Sequence, residues 1–230
     1  MDRGSWIRTR PTKAKTPKRG LMTPAGKTRD AEATRAAILD AAEGLFAKHG
    51  FAGTSLAAIA DICGASAPLI LHHFKDKRGL YRAVKEAIVK RYAACWPAPS
   101  ETVSGLPDIL STLMSTMFAY YKQNPTMVRI ANWSLLEGDD EPWGGESEWL
   151  QRYIGQIQEA QRRGEIRSDI PPYRVLIIIN GAIHTWWEYH EHMLRDLEQA
   201  DDPDAADAGY FHDLRAVLLQ GLAPKPDGGS

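Results

Sequence analysis

The stretch GASAPLILHHFKDKRGL, Gly64 to Leu80, decides how the rest of the chain is read. Gly64 is a turn residue. Ser66 is placed to cap a helix, and Pro68 falls in that helix's first turn, where a missing N–H costs little. At about 100° per residue, Ala67, Ile70, Leu71 and Phe74 share one stripe and face inward. Pro68, Leu69, His72 and His73 point the other way. The two histidines are adjacent, so they do not converge on one metal ion as an i, i+4 pair does. A short helix ending at Gly64, followed by a second with an outward face, is the layout of a helix-turn-helix. In that motif the second helix enters the major groove with its N-terminal residues at the bases.

Working outward, Ile38, Ala41, Ala42, Leu45 and Phe46 recur at helical spacing, and Gly50 stops that helix. Thr54 or Ser55 caps the next one, whose inward residues are Leu56, Ile59, Ala60 and Cys63. Asp76 caps a fourth helix that runs to about Ala94, and Pro97 and Pro99 close the unit. Further helices are expected over 107–123, 125–137, 145–164, 172–199 and 207–221. Pro107, Pro125 and Pro171–Pro172 mark starts, and Gly138 and Gly164 mark stops. The acidic run ADDPDAAD, Ala200 to Asp207, separates the last two. No segment reads as a β-strand and no repeat is visible. The expected fold is all-α: a disordered basic tail over 1–29, a three-helix unit over 30–76, a connecting helix over 77–95 and a helical body over 96–224.

The net charge of −1 over 230 residues hides an asymmetry. Residues 1–26 carry seven Lys/Arg against one acid, 27–95 eleven against seven, and 96–230 ten against twenty-one. A basic front and an acidic rear suit a front that meets an anion, nucleic acid being the commonest large one, or reflect ordinary surface variation. Residues 1–29 read either as a basic arm on DNA phosphates or as an upstream extension. The longest apolar run, Val175 to Ile179, is far short of the ~18 residues that suggest a membrane span, and the basic N-terminus lacks a signal peptide's apolar segment. Cys63 and Cys95 are the only cysteines, which suits reduced thiols and a cytoplasmic protein. Motifs for nucleotide, dinucleotide, zinc and serine-hydrolase chemistry are absent, and His190-Glu191-His192 is too tight for a zincin. No cofactor is expected.

The run TRAAILDAAEGLFAKHGFAGTSLAAIADICGASAPLILHHFKDKRGLYRAV, Thr34 to Val84, resembles the N-terminal domain of the TetR family of transcriptional regulators. The likeness rests on the apolar helix ending in HGF, the TSLAAIA pattern, the GAS turn and the HHFKDKRGL that follows. GEIRSDIPPY, Gly164 to Tyr173, resembles part of the family's ligand-binding body. The resemblance implies a cytoplasmic all-α homodimer that binds a double-stranded operator and releases it when a small-molecule effector enters the body. It places Ser66, Ala67, Pro68 and Leu69 at base edges. It places His73 and Lys77 at phosphates, with Thr54 and Ser55 also meeting the backbone. The Lys and Thr usual near the start of the reading helix are here Ala67 and Leu69. Few hydrogen-bonding groups remain, so Pro68 and Leu69 are candidates for thymine methyl contacts. His72, Lys75 and Lys77 supply polar and phosphate contacts. A helical adaptor with a degenerate reading helix, or an effector-activated regulator with weak intrinsic DNA binding, is the alternative.

In the body, Ile177 to Leu197 is the most unusual segment. Val175, Ile178, Ile179, Ala182, Trp186, Tyr189, Met193 and Leu197 make one apolar face. Ile177, Asn180, Gly181, His184, Trp187, Glu188, Glu191 and His192 make a mixed one. His184, Glu188 and His192 span about 12 Å of helix, too long for one ion without help from another helix. Trp133, Trp143, Trp149, Trp186 and Trp187 with Tyr120, Tyr121 and Tyr153 are either core or the walls of a pocket for an aromatic effector. The candidate ligand residues are Trp133, Asn180, His184, Trp187 and Glu188. The resemblance implies a four-helix dimer interface, for which Trp186, Tyr189, Met193, Tyr210, Phe211, Leu214, Val217 and Leu218 are the candidates.

Overall fold

The computed structural model describes residues 24–96, 106–141, 143–144, 146–197 and 202–224. The described residues form nine α-helices and no strand. They are α1 Pro24–His49, α2 Leu56–Cys63, α3 Ala67–Phe74, α4 Lys77–Cys95, α5 Leu106–Gln123, α6 Pro125–Leu136, α7 Glu146–Arg162, α8 Pro172–Asp196 and α9 Pro203–Leu222. None is long and apolar enough on its own to cross a membrane.

Two cores organise the chain. The front core gathers Ile38, Ala42, Phe46, Ile59, Ile70, Phe74, Leu80, Val84 and Ile88 from the first four helices, and it also takes in Ile130 from α6. The rear core begins at Tyr92 and Trp96 and continues through α5 and α7 to α9. The connecting helix α4 therefore serves both, changing allegiance between Ile88 and Tyr92. Helix α6 belongs to the body by sequence position, yet it plugs into the front core through Ile130 and packs on α1.

Three expectations need correction. Helix α1 starts at Pro24, so 24–29 are helical rather than part of a disordered tail; residues 1–23 of that tail lie outside the described residues. This first stretch lacks apolar periodicity, and Pro24 at the first helical position is its one local start signal. Helix α9 starts at Pro203, inside the acidic run, because the Asp202 side chain accepts from Ala205 N at 3.0 Å and caps it. Leu71 is not inward: it sits at the edge of the stripe on an eight-residue helix and is 40% exposed, while Ile70 and Phe74 are buried.

Candidate nucleic-acid interface and effector cavities

The reading unit is built by capping. The Ser55 hydroxyl accepts from Ala58 N at 3.1 Å and starts α2, which Gly64 ends at φ 69°. The chain turns through 104° into α3, within the range of helix-turn-helix pairs. Ser66 starts α3, accepting from Leu69 N at 3.4 Å. Asp76 starts α4, accepting from Gly79 N at 2.6 Å. Gly79 is required there, since a Cβ would lie 2.2 Å from the Phe74 carbonyl oxygen. Lys75, between α3 and α4, is the one non-glycine described residue at positive φ, 69°.

On the outer face of α3, Pro68, Leu69 and His72 are exposed and His73 is half-buried, its ring 5.7 Å from that of His72. Ala67 is half-buried and Lys75 exposed. Leu69, at 37% exposure, stands clear of the core. Lys77 is half-buried, with Nζ 4.4 Å from the centre of the Phe51 ring. Thr54 departs from its expected role as a backbone contact. It is 3% exposed and its hydroxyl donates inward, to Gly50 O at 2.8 Å and lies 3.2 Å from Leu45 O. The side chain locks the α1–α2 turn and is withdrawn from any phosphate.

One face of α6 grips that same turn. Arg129 Nε and Trp133 Nε1 both donate to Ala47 O, at 2.9 and 3.2 Å. One turn further, the Glu137 carboxylate accepts from Phe51 N and Ala52 N, each at 2.9 Å. Sequence reading missed Arg129 and Glu137, because a hydrogen bond across more than eighty residues leaves no local signal. The loop after α6 is held to α4. Arg78 and Arg82 pair with Glu141 at 3.3 and 3.1 Å, and the fully buried Lys85 pairs with Asp139 at 2.7 Å. Lys85 Nζ also donates to Glu141 O at 2.7 Å and lies over the rings of Tyr81 and Trp143. A lysine reads by default as surface, and its burial here follows from partners more than fifty residues away.

The five candidate ligand residues divide between two cavities. The larger, about 460 Å³, lies among α4, α5, α6, α7 and α8; Asn180 and His184 line it beside Tyr92, Met127, Trp143 and Leu150. The smaller, about 360 Å³, lies between α6 and α8; Trp133, Trp187 and Glu188 line it. Tyr121 lines both. A polar bridge separates them: His184 Nε2 pairs with Asn132 Oδ1 at 3.1 Å, and Asn132 Nδ2 donates to Glu188 Oε1 at 2.9 Å. Since the amide oxygen accepts, His184 carries its proton on Nε2. Burial holds the His184 imidazole below its ordinary value, with Glu188 opposing, so it is neutral at pH 7. Tyr121 OH donates to Asn180 Oδ1 at 2.8 Å on the floor of the larger cavity. Trp187 Nε1 is buried and makes no hydrogen bond among the described residues. The other aromatics are mostly packing: Tyr120, Tyr121 and Tyr153 are buried, and burial pushes the Tyr120 and Tyr153 phenols up to about 12. The side chain of Trp149 lies outside the described residues.

The expected dimer residues also divide. Trp186 and Leu218 are core residues of the single chain. Trp186 stacks on Tyr210 at 4.2 Å and donates to Asp207 Oδ1 at 2.9 Å. Phe211 and Leu214 are half-buried against the rear core. Tyr189, Met193 and Val217 are exposed, as are Ile177, Ile178 and Leu197. The buried face of α8 is therefore narrower than its apolar pattern. Its buried stripe is Val175, Leu176, Ile179, Ile183, Trp186 and His190, and Ile178, Tyr189, Met193 and Leu197 turn outward. No group of three or more His, Cys, Asp or Glu among the described residues is placed to hold a metal ion.

Comparison with known proteins gives the same picture. Residues 38–84 match the family model described as bacterial regulatory proteins, tetR family, and residues 110–209 match that of a tetracyclin repressor-like C-terminal domain. The chain is 38% identical over 213 residues to the HTH-type transcriptional regulator RutR of Escherichia coli O157:H7, covering 89% of this chain and 98% of that protein. It is 27% identical over 198 residues to the HTH-type transcriptional regulator UidR of Escherichia coli K12, with 82% and 93% covered. It is 29% identical over 161 residues to the HTH-type transcriptional repressor SCO4008 of Streptomyces coelicolor, with 69% and 80% covered. In fold it is similar to the crystal structure of the putative transcriptional regulator SCO4942 from Streptomyces coelicolor, at TM-score 0.68 and 23% identity, covering 84% of this chain and 99% of that one. With its capped helix-turn-helix and all-helical body, the chain belongs to the TetR family of DNA-binding transcriptional regulators.

Proposed function

We propose that the protein is a cytoplasmic homodimeric repressor that releases its operator when an effector enters the larger cavity. One observation carries this reading. Helix α6 lines that cavity through Met127, Ala131, Ser134 and Leu135, and its other face holds the reading unit through Arg129, Trp133 and Glu137. An effector that shifts α6 moves the α1–α2 turn with it. Release then follows from different effector affinities of the two arrangements. The cavity walls favour a largely apolar, aromatic effector. Asn180 and the neutral His184 orient its polar group.

On the DNA side, Pro68 and Leu69 read thymine methyls, Ala67 lets the helix approach closely, and Ser66 and His72 supply the polar base-edge contacts. Phosphates are met by Ser55, His73, Lys75 and Lys77. The dimer is built from the exposed apolar residues of α8 and α9, Tyr189, Met193 and Val217, with Ile177 and Ile178 extending the patch.

The test is selection of bound duplexes from a random pool, followed by an effector screen on the selected site. A palindrome with half-sites about one helical turn apart, or a multiple of that, supports the reading. No enriched sequence from a folded dimer would instead favour a helical adaptor. Replacing thymines of the selected half-site with deoxyuridine should weaken binding where Leu69 reads a methyl, and leave it unchanged where it does not.

A further inference from the structure

The α6–α8 cavity differs from the larger one in how its acids are paired: of Asp139, Asp140 and Glu141 in the larger cavity, Asp139 and Glu141 are held in ion pairs. Its walls carry two indole rings, Trp133 and Trp187, two exposed carboxylates, Glu188 and Glu191, three residues apart on α8, and one cation, Arg129, whose Nε is turned to Ala47 O, so acids outnumber it two to one. Neither carboxylate is in an ion pair among the described residues, and Glu188 accepts only the Asn132 amide. The buried Trp187 Nε1 is a donor without an acceptor. Aromatic faces beside carboxylates attract organic cations, through the ring quadrupole and through charge together. An unmatched buried N–H asks for an oxygen.

We propose that this cavity is a second binding site, for an arylalkylamine that carries an oxygen on its ring. The ammonium group lies toward Glu188 and Glu191, the ring lies against Trp133 and Trp187, and a small turn of the Trp187 indole presents its buried Nε1 to the oxygen. This deepens the effector reading above but does not require it, since the two cavities have separate walls apart from Tyr121.

The site's position gives its occupant two effects. Trp133 is both a wall and a donor to Ala47 O, so a bound ring touches a group that anchors the reading unit, with no intervening relay. Glu188 is the end of the His184–Asn132–Glu188 bridge, so an ammonium competing for its carboxylate alters the hydrogen bonding of a residue in the other cavity. The two sites are therefore coupled, and by linkage the coupling is reciprocal.

The experiment is titration calorimetry of the full-length dimer, without DNA, against four probes. Tyramine is the cation with a ring oxygen, and 4-propylphenol is its neutral isostere. 3-(4-Hydroxyphenyl)propionate is the matching anion, and 2-phenylethylamine is the cation without the oxygen. Tyramine should bind at least about tenfold more tightly than either the isostere or the anion. The paired change Glu188→Gln with Glu191→Gln should erase that preference. The gap between tyramine and 2-phenylethylamine should close in Trp187→Phe, which keeps the ring and loses the donor. Equal binding of tyramine and 4-propylphenol, tighter binding of the anion, an unchanged double variant that melts like wild type, or no tyramine binding at millimolar concentration each overturns the proposal. Because no operator is present, such a failure leaves effector-driven release from the larger cavity to be judged on its own test.

Discussion

The front unit and the body use polar side chains differently. In the front, Ser55, Ser66 and Asp76 each close a helix N-terminus within three residues of themselves, and Thr54 ties its own turn. In the body, Asn132, Asn180, His184 and Glu188 make their bonds between helices, along the walls of cavities. Caps fix the backbone by local geometry and are satisfied whatever is bound. Inter-helix bridges depend on how two helices sit, and they change when a guest enters. The comparison separates a reader of set shape from a receiver that can adjust. The junction between them, from α6 and its loop to α1 and α4, decides whether one informs the other.

The largest effect is expected at Asp139. Its removal strands the fully buried Lys85, and losing one partner of such a pair costs about 3 kcal/mol. Asp139→Ala should lower unfolding stability by that order in a urea titration, and Lys85→Met by less, because the carboxylate it leaves at Asp139 is partly exposed and still accepts from Glu141 N. Next is Glu137→Ala, which leaves Phe51 N and Ala52 N without their acceptor at a cost of about 1–2 kcal/mol. Its more telling result is functional: operator affinity should persist while the response to effector shrinks, as read by anisotropy with the selected duplex. Ser55→Ala removes one cap and should cost about 1 kcal/mol, with DNA affinity falling alongside stability. Lys77→Ala should weaken binding to all sequences alike and reduce the salt slope of binding by about 1. An unchanged slope assigns Lys77 to Phe51 instead of a phosphate.

The smallest effect concerns pH. Burial holds His184 below its ordinary 6.5, so the unfolded chain takes up the proton first. The stability contributed by neutral His184 is complete above pH 6.5 and falls as pH drops through 6.5 toward the lower folded value. Melting temperatures across that window should fall less steeply in His184→Gln, by a difference smaller than the loss from Ser55→Ala.

What the sequence makes legible follows the same division. The caps at Ser55, Ser66 and Asp76, the stops at Gly50 and Gly64 and the outward set of Pro68, Leu69 and His72 are local patterns, and a single sequence displays local patterns well. Asn180 and His184 stand out as polar groups within an apolar helix, yet nothing in their spacing tells that they face a different cavity from Trp187 and Glu188. The burial of Lys85 and the grip of Glu137 come from partners brought near only by the fold. The intrachain contacts of the expected dimer residues are hidden for a related reason. Trp186 and Tyr210 have the size and spacing of interface residues, but they stack on one another within the chain.

Gly50 has a consequence for anyone who wishes to transplant this reading unit onto another sensor. It sits at φ 71°, and a Cβ there would lie 2.6 Å from Glu137 Oε1 and 2.8 Å from the Trp133 ring. A hybrid joined in the loop after α4 keeps the chain continuous but sets a foreign α6 against this glycine. A donor sensor without a flat ring and a carboxylate at the places of Trp133 and Glu137 leaves a gap there, and the hybrid would bind its operator while ignoring its inducer. The practical graft boundary is a surface made of Ala47 to Ala52 on one side and one face of α6 on the other, and both sides must be moved together.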